Sequence, residues 1–101
     1  MFNIIARKTL MEYCKKYPNA KMALISWYME IQKSSFSNLN ELKLRFPNAS
    51  IIGDNRVIFN IIGNDYRLIT RIIFQFKTIQ IKWFGTHEAY DQIDVLTINP
   101  K

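Results

Sequence analysis

The chain has 101 residues, 49% of them hydrophobic and 14% aromatic, with only three glycines and three prolines. That excludes a disordered tail and predicts one folded domain over residues 1–101 with a modest core. Fourteen Lys and Arg against eight Asp and Glu leave a net charge of +6, which favours a polyanionic partner, nucleic acid first, the alternatives being an acidic protein surface or a charge that only keeps the protein soluble. No apolar run approaches the length of a membrane span, and MFNIIARKTL lacks the long apolar stretch and cleavage site of a signal peptide, so a cytoplasmic location and no membrane partner are expected.

In chain order, Phe2 to Ile5 reads as a short edge strand. Leu10, Tyr13, Cys14 and Tyr17 then recur at i, i+3, i+4 and i+7, which is one face of a helix. Pro18 ends that helix, and Asn19 is placed to cap the next. In the second helix Leu24, Trp27, Tyr28 and Ile31 form the apolar stripe, with Ser26, Glu30 and Lys33 opposite. KSSFSN releases it, and NLNELKLRF predicts a short third helix from about Asn38 until Pro47. The tetrapeptides YPNA and FPNA are helix-stop turns, not an internal duplication, because their flanks differ. Cys14, the only cysteine, has no partner for a disulfide and reads as core filler.

From residue 50 the texture changes to β-branched and aromatic runs separated by turn residues, SII, GDN, RVIFNII, GND, YRLITRIIF, QFKT and IQIKWFGT, which predicts an antiparallel meander. A three-residue loop at Gly63-Asn64-Asp65 would set Ile61 against Arg67, and a four-residue loop at Gln75 to Thr78 would set Phe74 against Ile79. One face then carries Ile58, Ile62, Leu68, Ile72, Phe74, Ile79, Ile81 and Trp83 toward the helices. The other carries Val57, Phe59, Ile61, Ile69, Ile73 and Phe84 together with Arg67, Arg71, Lys82 and Thr86. In this register Arg71 lies directly across from Lys82, a like-charge pair. Either an anion relieves it or both side chains reach past their neighbours to water. A slip of one residue, or a bulge, would exchange the faces.

The strings VIFNIIGNDYRLITRI and FGTHEAYD resemble the HigB-type toxins of bacterial toxin–antitoxin pairs, within the RelE superfamily of mRNA interferases. The likeness rests on Phe59-Asn60-Ile61, Gly63-Asn64, Tyr66-Arg67-Leu68, Gly85-Thr86-His87 and Tyr90-Asp91. It extends to the N-terminal half through IIARKTL and the Trp27-Tyr28 pair. One departure is visible. The family usually has a glutamate directly before the Tyr-Asp pair, whereas Glu88 and Ala89 stand in the other order.

The resemblance implies an α+β, RelE-like fold over the whole chain, with N-terminal helices on one face of a curved antiparallel sheet and the RNA site on the other. It implies a toxin that cleaves mRNA in the ribosomal A site, with ribosomal RNA close by and no metal or other cofactor. It also implies silencing by a cognate helix-turn-helix antitoxin, through which operator DNA is reached only indirectly. The residues agree on metals: one His and one Cys far apart, with no paired-carboxylate motif, do not suggest a zinc or two-metal site.

Cleaving RNA without a metal requires activation of a 2′-OH, stabilisation of the pentacoordinate phosphate and protonation of the 5′-oxygen. Arg67 matches the arginine that RelE-like toxins use at the scissile phosphate, and a guanidinium can bind two phosphate oxygens at once. His87 is a candidate for proton transfer, for charge stabilisation, or for a purely structural role in its turn. Tyr90 is a candidate to orient or deprotonate the 2′-OH, or to stack on a base; tyrosine is equally good core filler. Lys82 and Arg71 are expected at phosphates, and Arg56, beside the Gly53-Asp54-Asn55 turn, at RNA or the ribosome. Lys15 and Lys16 are solvated or touch ribosomal RNA. The alternative to an enzyme is a non-catalytic basic module, binding RNA or protein within a repressor complex.

Overall fold

The apolar stripes of the N-terminal half become two helices that lean on a sheet. A computed structural model describes residues 2–99. After strand β1 (Asn3–Ile5), helix α1 (Arg7–Lys16) buries Leu10 and Cys14. Burial raises the Cys14 thiol above the ordinary range, away from a reactive thiolate. Tyr17, non-helical before Pro18, ends the helix as expected. Asn19 does not cap the next one. It lies inside a 3-10 turn (Pro18–Ala20) that runs straight into helix α2 (Lys21–Lys33), whose N-cap is Ala20 in helical geometry. α2 buries Leu24, Trp27 and Ile31. Helix α3 (Leu39–Arg45) begins with a reciprocal cap. Asn38 Oδ1 accepts from the Glu41 backbone N–H at 2.9 Å, and Glu41 Oε1 accepts from the Ser37 backbone N–H at 2.8 Å.

The second half supplies β2 (Ser50–Ile51), β3 (Arg56–Ile61), β4 (Tyr66–Ile73) and β5 (Thr78–Thr86), then the one-turn helix α4 (His87–Tyr90). The sheet order is β1-β5-β4-β3-β2. The meander is antiparallel as expected, but β1 pairs with β5 in parallel, Asn3 opposite Thr78 and Ile5 opposite Gln80, so the sheet is mixed. Parallel neighbours need a crossover, and the helices and the rest of the meander provide it.

Two local features change the faces read from the sequence. The β3–β4 connection is four residues, not three. Ile61 pairs with Tyr66 and Asn60 with Arg67, while Ile62 (φ 55°) and Gly63 (φ 58°) both adopt left-handed geometry. Side chains alternate along a strand, so this one-residue change turns all of β3 over. Val57, Phe59 and Ile61 join the core, whereas Ile58 lies on the other face. Phe59 packs edge-on against Trp27 (5.4 Å) and Phe46 (5.2 Å), a burial worth about 1.5–3 kcal/mol.

The second feature is a bulge in β5. Ile69 pairs with Trp83 but Thr70 pairs with Ile81, leaving Lys82 as the extra residue. Ile79 and Ile81 face the helices as expected; beyond the bulge the phase reverses. Phe84 enters the core, stacked on Tyr66 at 5.3 Å and beside Tyr13 and Tyr17, and Trp83 leaves it. Arg71 consequently faces Gln80 on one side and Arg56 on the other, not Lys82.

Ile69 is completely buried although it points away from the helices. The segment after α4 runs along that side. Val95 and Ile98 meet Arg56, and Asn99 meets Lys82. Among the described residues no helix is long and apolar enough to cross a membrane.

Candidate functional site

The register of β3, β4 and β5 places Arg56, Arg67, Arg71, Lys82 and Trp83 on the face turned away from the helices. Arg67 is on the central strand β4. Its Nη1 donates to the carbonyl oxygens of Asn64 (3.0 Å) and Tyr66 (3.3 Å), which folds the guanidinium back onto the β3–β4 turn. The guanidinium carbon also lies 5.8 Å from the centre of the Tyr90 ring, a cation–π distance. Residues 23 positions apart in sequence are thus brought together because α4 follows β5, the strand beside β4.

α4 is held at its start by two bonds. Thr86 Oγ1 accepts from the Ala89 backbone N–H at 3.2 Å, and the His87 backbone N–H donates to the Asp65 carbonyl at 3.0 Å. The second bond ties the start of α4 to the same turn that holds Arg67. The His87 side chain is exposed and lines an open cleft of about 620 Å³ with Asn19, Asn64, Asp65, Tyr66 and Glu88. Arg67 and Tyr90 therefore meet directly, while His87 stands on an adjoining cleft that shares Asn64 with Arg67. Glu88 is exposed on the same cleft wall.

The other three cations form a group of their own. Arg71 makes a two-pronged ion pair with Asp54, Nε to Oδ2 at 3.2 Å and Nη2 to Oδ1 at 3.3 Å. That hydrogen-bonded guanidinium holds the Asp54 carboxyl below its usual range. Lys82 Nζ donates to Asn99 Oδ1 at 2.9 Å. Partial burial, then repulsion from Arg56 and Arg71, lowers the Lys82 ammonium pKa, with Asp54 opposing. Arg56, expected as a surface contact at a strand start, is instead 4% exposed. Its Nη1 donates to the Val95 (3.0 Å) and Ile98 (2.9 Å) carbonyls, and its buried Nε has no partner among the described residues. Among the described residues three cations thus share one carboxylate, an arrangement that attracts a further anion.

Trp83 was placed in the core by the sequence and is instead only partly buried beside Tyr90, with ring centres 6.4 Å apart and planes at 51°. Gly85 makes room for it. A Cβ on Gly85 would lie 2.6 Å from the indole Cζ2 and Cη2, so the ring lies over the glycine backbone. The signal was the string KWFG itself, two adjacent aromatics before a glycine, but without the bulge their parity came out reversed. Among the described residues no group of three or more His, Cys, Asp or Glu side chains is placed to hold a metal ion.

Residues 20–93 match the family model of the HigB toxin, the RelE-like toxic component of a toxin–antitoxin system. The chain is 31% identical over 93 residues to the mRNA interferase HigB of Escherichia coli O6:H1, spanning 90% of each chain. It is 30% identical over 91 residues to the mRNA interferase toxin HigB of Escherichia coli K12, spanning 88% of each.

Proposed function

Because the chain belongs to the HigB family of RelE-like toxins, it is the toxic component of a toxin–antitoxin pair, and we propose that it cleaves mRNA on the ribosome by a metal-independent transesterification. The observation that carries this reading is the pairing of Arg67 with Tyr90 on an open, cationic face. The 2′-oxygen attacks the adjacent phosphorus, the bond to the 5′-oxygen breaks, and the products are a 2′,3′-cyclic phosphate and a 5′-hydroxyl. Arg67 binds the non-bridging oxygens as their charge grows, swinging off the Asn64 and Tyr66 carbonyls to do so.

Tyr90 is held by the guanidinium to orient the attacking 2′-OH, whose proton passes to solvent water, and His87, one helical turn earlier, hands a proton to the leaving oxygen from the cleft side. Lys82 and Arg71 bind the flanking phosphates, Arg71 by exchanging Asp54 for phosphate. Arg56 serves the same surface from behind, through its charge and its hold on the C-terminal segment. The toxin works in the cytoplasm, and a helix-turn-helix antitoxin silences it and links it to operator DNA.

The test is induction of Arg67→Ala and His87→Ala toxins, with growth arrest, antitoxin binding and mRNA 5′ ends followed together. Both variants should lose growth arrest and new 5′ ends while still binding antitoxin. Growth arrest without new 5′ ends in the unaltered protein would replace the nuclease by a non-catalytic RNA-binding module.

A further inference from the structure

Trp83 is a partly buried aromatic beside the reacting groups with no role assigned so far, and three facts bear on it. The Lys82 bulge turns its side chain onto the face of Arg67 and Tyr90. Gly85, paired with Arg67 across the ladder, lacks the side chain that would displace the ring. The indole is only partly buried, which leaves ring surface within reach of a ligand.

We propose that Trp83 is a stacking platform for one nucleobase of the bound single-stranded RNA, next to the phosphate held by Arg67. This rests on the RNA-cleaving reading of the same face. A base splayed out of a single strand exposes both of its π faces, and an aromatic side chain is the usual surface on which it settles. The tilt decides which arrangement applies. A base sandwiched between two rings needs them parallel and about 7 Å apart, twice the ~3.5 Å contact distance. Trp83 and Tyr90 are 6.4 Å apart and inclined at 51°, so the base lies on Trp83 alone. Tyr90 is left free for the 2′-OH. The sequence left Tyr90 with two candidate roles on RNA, and the second aromatic allows them to be divided.

Stacking on a fixed platform holds the nucleotide whose 2′-OH must line up with the phosphate, so its loss should appear in cleavage and leave the fold intact. The experiment is single-turnover cleavage of a defined mRNA on programmed ribosomes, varying toxin concentration to separate the limiting rate from half-saturation. Trp83→Leu keeps apolar bulk but has no π face. Its cleavage efficiency should fall about 10–100-fold, the size of one lost base–aromatic stack, with antitoxin binding and thermal midpoint close to wild type. Trp83→Phe should recover to within about threefold of wild type, since a smaller ring still stacks. Gly85→Ala, which keeps the tryptophan but pushes the indole from its seat, should resemble Trp83→Leu.

Wild-type cleavage by Trp83→Leu overturns the proposal and leaves the nuclease reading standing. A Trp83→Phe protein as defective as Trp83→Leu, with antitoxin binding intact, also overturns it, because bulk or shape would then be the requirement. If the unaltered toxin yields no cleavage on ribosomes, the nuclease reading fails first and the platform with it.

Discussion

Replacing Arg56 with methionine keeps an unbranched side chain of similar reach but removes the charge and every donor. The two bonds from Nη1 to the Val95 and Ile98 carbonyls are charge-assisted, each worth about 1.5–3 kcal/mol, so their loss would cost roughly 3–6 kcal/mol if nothing else changed. Two terms offset this. The buried Nε has no partner among the described residues, a penalty of about 1–3 kcal/mol that the substitution removes. Arg56 also faces Arg71 and repels Lys82, and that repulsion disappears. The freed carbonyls belong to a segment that can swing out to water. The expected net loss is about 1–3 kcal/mol, or a fall in thermal midpoint on the order of 5–20 °C for a domain of this size.

The loss should also be local. Hydrogen exchange of the segment after α4, whose Thr97 and Ile98 amides bond back to Asp94, should accelerate well before global unfolding. Equilibrium denaturation with exchange followed by mass spectrometry measures both. Unchanged protection in residues 94–98, together with a stability loss at the full 3–6 kcal/mol, would refute the local hold of Arg56 on this segment and make Arg56 a strut of the sheet.

Lys82→Met should weaken RNA binding while leaving neutral-pH stability level or raising it by less than about 0.5 kcal/mol, given solvent screening of a half-exposed group. Because the folded ammonium pKa is depressed, Lys82 makes stability climb as pH rises from its folded value toward the ordinary lysine range; denaturation curves across alkaline pH should lose that climb in the variant. Asp54 has the same sign in acid. Its lowered carboxyl pKa gives stability that is complete above about pH 4 and fades as pH drops through the folded value. Asp54→Asn should flatten that part of the acid curve, and by freeing Arg71 it should tighten sulfate or RNA binding at neutral pH. Ile62→Gly should stabilise the protein by about 1 kcal/mol, because a β-branched residue at φ 55° is strained where glycine is not; a lower melting temperature would contradict this.

The helices and the sign of β4 were legible because each depends on one regular period. Leu10, Cys14, Leu24, Trp27 and Ile31 are buried where the 3.6-residue spacing puts them, and Leu68 and Ile72 where alternation puts them. The faces of β3 and the end of β5 were not, because each turns on one residue of loop length or one bulge. Those devices are set by how Phe59 and Phe84 fill the space beneath the helices, a tertiary requirement that no local spacing carries. The candidate site divides in the same way. Arg67 was placed on its face by alternation alone, and its nearness to Tyr90 needed only the order of β5 and α4. Arg56 was misread because burial by the C-terminal segment leaves no mark on the residues around it, and Trp83 because its parity hung on Lys82.

The extra residue at Lys82 makes β5 a strand with two phases. Upstream, Ile79 and Ile81 keep step with β1 and the helices; downstream, Phe84 and everything that follows into α4 keep a step of their own. Substitution at position 82 changes a charge, whereas drawing Lys82 into the ladder as an ordinary paired residue would put the two halves back into one phase. Trp83 would be driven toward the helices, Phe84 into water, and the strand leading to His87 and Tyr90 would arrive rotated to the opposite side of the sheet. The position of the proton-transfer groups is thus governed by a count of residues as much as by their identity.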